Sequence, residues 1–202
     1  VFTFATAFRA EKSATTRHLS EYTSLDAEVG FIEDHHDLMK ILTGLMRHLR
    51  AHLEATCTPE FATLGIELPK VPAEGDTFPF MKLRKAQALI KEKTGVDKTS
   101  EPDLEPEDER WLCEYANQEL GSDYIFITHY PVSKRPFYTY EDEADLGFTK
   151  SFDLLFRGIE ITTGGQRVHD YQNLIERIKM KGLDPNKFHF YLQAFRFGIP
   201  PH

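Results

Sequence analysis

Four strand-like runs crowd the C-terminal half of the chain, and they constrain its fold more than any other feature. Tyr124–Thr128, Pro136–Tyr140, Ser151–Arg157 and Gly158–Thr163 follow one another with no helical pattern between them, and Glu141–Gly147 reads as an acidic turn. Helical patterns collect elsewhere. A doubly wound parallel fold would alternate strand and helix throughout, so the arrangement predicts an α+β domain with an antiparallel sheet flanked by helices.

The N-terminal region adds two alternating runs. Phe2, Phe4 and Phe8 are set against Thr3 and Ala5, which predicts a half-buried strand. From Tyr22 to Ile32, Leu25, Ala27, Val29 and Phe31 share one face, opposite Ser24, Asp26, Glu28 and Gly30. The two form a hairpin whose polar loop, Arg9–Glu21, is long enough to suggest function. Asp34 then caps a helix with Leu38, Ile41, Leu42, Leu45, Met46, Leu49 and Leu53 on one stripe. Residues 56–79, broken by four prolines, read as loop. Helices are predicted over about 80–94 (ending at Gly95), from Pro106 to Gly121, over 170–181, and from Asp184 with Pro185 at its first position to Gly198. Asp97–Glu105 reads as an acidic surface linker, and Trp111, Leu112 and Tyr115 as core.

Composition narrows the function classes. The 202 residues carry 24 basic and 32 acidic side chains, a net charge of -8, which argues against a broadly basic nucleic-acid coat. Two cysteines, Cys57 and Cys113, cannot build a disulfide framework, so a cytoplasmic setting is expected. No apolar run approaches the ~18 residues of a membrane helix, and no membrane partner is expected. The opening Val1–Phe8 lacks the basic lead of a signal peptide and an initiator Met, and reads as the middle of a strand in a larger chain.

Two clusters carry chemistry. Phe8-Arg9-Ala10-Glu11 and Thr16-Arg17-His18-Leu19-Ser20-Glu21 flank the hairpin mouth. Their arginines could hold a polyphosphate, since guanidinium forks match phosphate oxygens; an exposed hairpin with surface ion pairs is the alternative. The second cluster places Asp153 and Glu160 on strands, followed by Thr163, Gly164, Gly165 and Arg167. Carboxylate and hydroxyl oxygens suit Mg²⁺, the glycines would allow a ligand to approach the backbone, and Arg167 offers a fork to a carboxylate; a turn with a lone buried acid is the alternative. His48 and His52, at i,i+4, lack a third ligand and read as a solvated helix face. His35-His36 reads as surface, and both cysteines as inert.

Together these motifs resemble the class II aminoacyl-tRNA synthetases. Arg9-Ala10-Glu11 through Thr16-Arg17-His18 to Leu25-Asp26-Ala27-Glu28 is similar to motif 2. Gly158-Ile-Glu-Ile-Thr-Thr-Gly-Gly-Gln-Arg167, with Arg135-Pro-Phe-Tyr138 and Ala194–His202, resembles aspartyl-tRNA synthetases of the archaeal type, over essentially the whole chain. The resemblance implies that residues 1–202 are part of a catalytic domain. A motif 1 dimer element and an OB-fold anticodon domain would precede it, and motif 3 would follow it, so the fragment alone would be incomplete for catalysis.

It further implies that Arg9 contacts the ATP α-phosphate and the amino acid's carboxylate. Glu11 would read adenine, aided by backbone at Ala10 and Leu19, and Arg17 and His18 would hold the β- and γ-phosphates. Glu160 and Thr163 would ligate Mg²⁺ with Asp153 as a further or water-mediated ligand; Arg167 would bind the aspartate side chain and Tyr138 would close the pocket. Both clusters would share one face of the sheet, with Arg9, Glu160 and Arg167 converging on one cleft. Thr163 stands where Ser is common, and Arg135 where relatives often have Lys. The implied reaction is ATP-dependent formation of aspartyl-adenylate and transfer to tRNA-Asp by a cytoplasmic homodimer; charging of tRNA-Asn would rest largely in the anticodon domain. The rivals are an asparaginyl-tRNA synthetase, a synthetase-derived asparagine synthetase, and a non-catalytic nucleotide- or tRNA-binding paralogue. For Arg167 the alternative is structural: capping the next helix, or an ion pair with Asp170.

Overall fold

The computed structural model describes residues 1–10, 19–72, 75 and 77–202. It is an α+β arrangement with two sheets. The first is the expected hairpin, β1 (Phe2–Phe8) against antiparallel β2 (Glu21–Ala27). The second has four strands in the order β3 (Phe80–Lys82), β4 (Tyr124–Thr128), β5 (Ser151–Phe156), β6 (Ile159–Gly165). β4, β5 and β6 are antiparallel as expected, β5 and β6 through a tight turn and β4 and β5 through the long segment 129–150, but β3 joins β4 in parallel, so the sheet is mixed. Three residues at the head of a helical pattern carry too little signal to announce such a strand.

Helices cover both faces of the four-stranded sheet, and alternation along the strands decides which residue meets which helix. Ile125, Ile127 and Leu155 pack with Leu83, Ala86 and Ile90 of α3 (Leu83–Thr94) and Leu112, Cys113 and Ala116 of α4 (Pro106–Glu119). Tyr124, Phe126, Phe152 and Leu154 point the other way, onto Phe78 and Met39 of α1 (His35–Thr56). A third cluster joins Leu174 and Ile178 of α5 (Tyr171–Met180) to Leu192 and Phe195 of α6 (His189–Phe195). With both faces covered, β4 is buried throughout and reads as an unbroken apolar run.

Asp34 caps α1 as predicted, accepting the His36 N–H at 2.7 Å. The helix is rotated from the expected stripe, however. His35, Met39 and Thr43 are its buried residues, flanked by Leu38, Leu42 and Met46, while Ile41, Leu45 and Leu49 are exposed. Thr43 earns its place by accepting the Phe78 N–H at 3.1 Å. His35, expected at the surface, is 2% exposed.

Other expectations need correction. Residues 56–79 contain a helix, α2 (Thr58–Leu64), because Pro59 lies in its first turn, where no amide donor is needed. Pro136–Tyr140 is not a strand; its aromatic residues pack on the α5–α6 cluster, and only Thr139 makes an isolated bridge, to Arg167. The C-terminal segment starts as a 3-10 turn, Pro185–Phe188, before α6. Both faces of β1 are exposed rather than one, with Phe2, Phe4 and Phe8 all largely accessible.

Asp123, just before β4, ties these layers together. Burial opposes its charge, but the Lys70 N–H, Arg157 at 2.8 Å and the Asn117 amide outweigh that and hold its pKa below the usual carboxylate range. Arg157 (φ 48°) and Gly158 (φ 86°) form the two-residue turn between β5 and β6, a backbone that glycine accepts readily. A Cβ at Gly158 would come within 2.8 Å of the Arg110 side chain.

Candidate active site

The acidic half of the site depends on a slip of one residue in the β5–β6 ladder. Asp153 opposes Thr163 and Leu154 opposes Thr162, but Leu155 opposes Glu160, leaving Ile161 as the extra residue of a β-bulge. Residues three apart on a regular strand point to opposite faces. Here the bulge turns Glu160 and Thr163 to the same face, beside Asp153.

One guanidinium organises that face. Arg135 donates from Nη2 to Asp153 Oδ1 at 2.7 Å, from Nε to Ser151 Oγ at 3.1 Å and from Nη1 to Thr163 Oγ1 at 3.3 Å. Its guanidinium carbon lies 4.0 Å from the centroid of the Tyr130 ring. Asp153 is 4% exposed. The Glu160 carboxyl is pushed up to about 7, first by lost hydration and then by Asp153, with Arg135 opposing. Water still reaches the side chain, which is exposed, and tempers that rise. Two carboxylates thus share one arginine, and the donor set is all oxygen. A divalent, hard cation of the Mg²⁺ class fits both the surplus charge and the chemistry.

Arg167 follows β6. Its Nε lies 3.1 Å from Glu28 Oε1, its guanidinium carbon 4.7 Å from the Tyr138 ring centroid, and its N–H donates to His202 O at 2.8 Å. Asp170 is engaged otherwise: it caps α5 by accepting the Asn173 N–H at 2.8 Å. The Arg167–Asp170 pair considered from sequence is therefore not formed. The Tyr191 hydroxyl is buried beside Arg167; burial raises its pKa, and the Arg167 guanidinium, as hydrogen-bonding neighbour and as charge, works against that rise. Gly164 and Gly165 serve the sheet rather than a ligand. A Cβ at Gly164 would meet the Phe152 ring at 2.5 Å, and one at Gly165 would meet Lys150 O at 2.8 Å.

The hairpin supplies a polar face. Its register puts Thr3, Ala5, Ala7 and Arg9 on the side of Tyr22, Ser24, Asp26 and Glu28. Arg9 packs over the Tyr22 ring at 5.5 Å, and Ser24 Oγ donates to Asp26 at 2.8 Å. Glu28 extends the ladder through backbone bonds of 2.8 and 2.9 Å with Val1. The floor between is lined by small side chains, and Arg9 lies about 26 Å along the strand from Val1 at strand spacing. It is therefore Glu28, not Arg9, that the hairpin brings into contact with Arg167. Ala10 and Leu19 are exposed at the hairpin mouth. Glu11, Arg17 and His18 lie outside the described residues. Sequence reasoning missed Glu28, Tyr191 and His202; for Glu28 the signal was its alternation with Ser24 and Asp26, in phase with Arg9.

Comparison with known proteins gives the family. Residues 1–202 match the family model "tRNA synthetases class II (D, K and N)". An aspartate–tRNA(Asp/Asn) ligase of Aeropyrum pernix is 47% identical over 202 residues, all of this chain and 45% of that protein. Among solved structures, an aspartyl-tRNA synthetase from Entamoeba histolytica superposes with a TM-score of 0.91 at 29% identity, covering 99% of this chain and 41% of the other. An asparaginyl-tRNA synthetase from Pyrococcus horikoshii, complexed with asparaginyl-adenylate, gives 0.88 at 30% identity, covering 99% and 45%. The chain spans about half the length of the relatives it matches. With a family match running from the first residue to the last, the chain belongs to the class II tRNA synthetases of the D, K and N group.

Proposed function

We propose that the protein containing this chain is an aspartate–tRNA ligase, activating aspartate with ATP and transferring it to tRNA-Asp. The observation that carries this reading is Arg167, which stands at a strand end between the Tyr138 ring and the Tyr191 hydroxyl, where a carboxylate can be received. Its planar fork would take the aspartate side chain through two parallel hydrogen bonds. The 47% identical relative named for aspartate favours this substrate over asparagine.

In this reading Arg9 contacts the α-phosphate, with adenine near Glu11, Ala10 and Leu19; its contact with the aspartate α-carboxylate requires the Arg9 side chain to reach back along the hairpin face toward Arg167. Arg17 and His18 hold the β- and γ-phosphates. Attack of a carboxylate on phosphorus needs positioning and charge stabilisation more than proton transfer, which is why no nucleophile or general base is assigned. Glu160 and Thr163, with Asp153 behind them, would hold Mg²⁺, whose part is to neutralise phosphate charge. Arg135 keeps Asp153 oriented, and Tyr138 closes the pocket over Arg167. We further place an OB-fold and motif 1 before this segment and motif 3 after it, in a cytoplasmic homodimer, with tRNA-Asn as a second acceptor to be tested. Pyrophosphate exchange by the full-length protein checks the assignment: aspartate should support it strongly and asparagine weakly. Stronger exchange with asparagine would establish the asparaginyl reading instead.

A further inference from the structure

We propose that Asp34, His35 and His36 form a transition-metal site of the zinc class at the start of α1, separate from the acids on β5 and β6. The three residues each offer one ligand atom, and those atoms lie within 4.8 Å of one another. His35 is 2% exposed, and neither of its ring nitrogens has a hydrogen-bond partner among the described residues. Leaving a buried polar group unsatisfied is unfavourable, because its lost hydration is not replaced. Ring packing does not remove that cost. The His36 ring is 4.2 Å away and tilted, and the His129 ring 5.4 Å away and edge-on, but these contacts leave the nitrogens bare. His129 itself is satisfied by Thr128 Oγ1 at 2.8 Å and Asp142 at 3.1 Å, so the orphan is His35 alone in this cluster.

The chemistry of the set is that of zinc rather than magnesium. Two imidazoles and a carboxylate suit Zn²⁺ and its neighbours, whereas the acids at Glu160 offer only oxygen. At Zn–ligand distances of 2.0–2.1 Å the donors of a tetrahedral site stand about 3.4 Å apart, so the widest pair must close by up to about 1.4 Å. Asp34 and His36 are half-exposed and can make that movement while His35 stays seated. The positive end of the α1 dipole and the Lys150 charge that bears on His35 both oppose a cation. The Asp34 carboxylate offsets them, with Oδ1 capping the helix and Oδ1 and Oδ2 lying 3.1 and 3.2 Å from His36 Nδ1. Three protein ligands leave the fourth position to water.

The test uses the full-length protein in excess Mg²⁺, titrated with Zn²⁺ by calorimetry, with Co²⁺ as a spectroscopic stand-in. The expected result is one Zn²⁺ per chain, a rise in melting temperature on binding, and the intense visible absorption of tetrahedral Co²⁺. His36→Gln and Asp34→Asn should each weaken binding by about tenfold or more, the scale on which even supporting residues act. Asn caps a helix as well as Asp, so Asp34→Asn should retain its metal-free melting temperature. Glu160→Gln should bind Zn²⁺ normally. Unchanged affinity in both His36→Gln and Asp34→Asn, or absence of Zn²⁺ binding in the unmodified protein, would overturn the proposal. Loss of binding only in Glu160→Gln would also overturn it, by assigning the ion to the β6 acids.

Discussion

The β1–β2 hairpin and the β5–β6 hairpin are alike in length and pairing, yet nearly every residue of β1 is exposed and nearly every residue of β5 is buried. β5 lies between two apolar layers, its turn is fixed by Arg157 on Asp123, and Arg135 cross-braces its polar face. Among the described residues, β1 is held by its ladder with β2 and the bonds that tie Val1 to Glu28. A group that must hold a fixed position is best mounted on the first kind of strand, where packing decides its rotamer. A surface that must accept a large substrate is better served by the second kind, with small residues and open faces.

The largest effects should separate the two strands by stability. Leu154→Ala removes a fully buried side chain between Phe126 and Met39 and should cost about 2–5 kcal/mol. Phe4→Ala, at 67% exposure, should stay within about 0.5 kcal/mol. Denaturant unfolding of the two variants breaks the comparison if the costs come out alike.

Next in size is Arg167→Leu, expected to cost about 2–5 kcal/mol in kcat/KM for aspartate, the range for stranding one member of a buried charge pair. Arg167→Lys keeps the charge without the fork and should raise the KM for aspartate far more than that for ATP. Equal losses for both substrates with a lowered melting temperature would make Arg167 a structural clamp on Glu28.

The smallest effect concerns Glu160, whose pKa of about 7 lies above its unfolded value of 4.5. For a carboxyl raised in this way the folded state binds the extra proton, so stability is highest below 4.5 and declines as pH rises toward 7. Water at the side chain keeps the decline small. Glu160→Gln should flatten the melting-temperature profile over that window in metal-free buffer and weaken Mg²⁺-dependent activity. An unchanged profile with unchanged Mg²⁺ dependence would remove Glu160 from the polar face.

Elements with strong local signals were legible in the sequence. Asp34 announced α1, alternation announced β1 and β2, and the apolar runs announced β4 and β5. What escaped was set by distant partners. The β3–β4 pairing, the rotation of α1 that buries His35, and the loss of strand at Pro136–Tyr140 all follow from packing between segments far apart in sequence. In the candidate site, Glu160, Thr163 and Arg167 could be picked out, but not their grouping. Nothing in Glu160-Ile-Thr-Thr163 says that the ladder slips there, and nothing near Arg167 points to Glu28.

That slip at Ile161 has a consequence for transplantation. In an unbroken ladder, copying Asp153, Glu160 and Thr163 into another sheet at the same separations would leave the glutamate facing away from its companions. The donor sequence carries a spacer as well as a set of side chains, and the spacer's value is its presence rather than its identity. Drift by substitution can therefore erode this polar face one group at a time, whereas a single-codon deletion would reverse Glu160 at once while leaving the composition of the face intact.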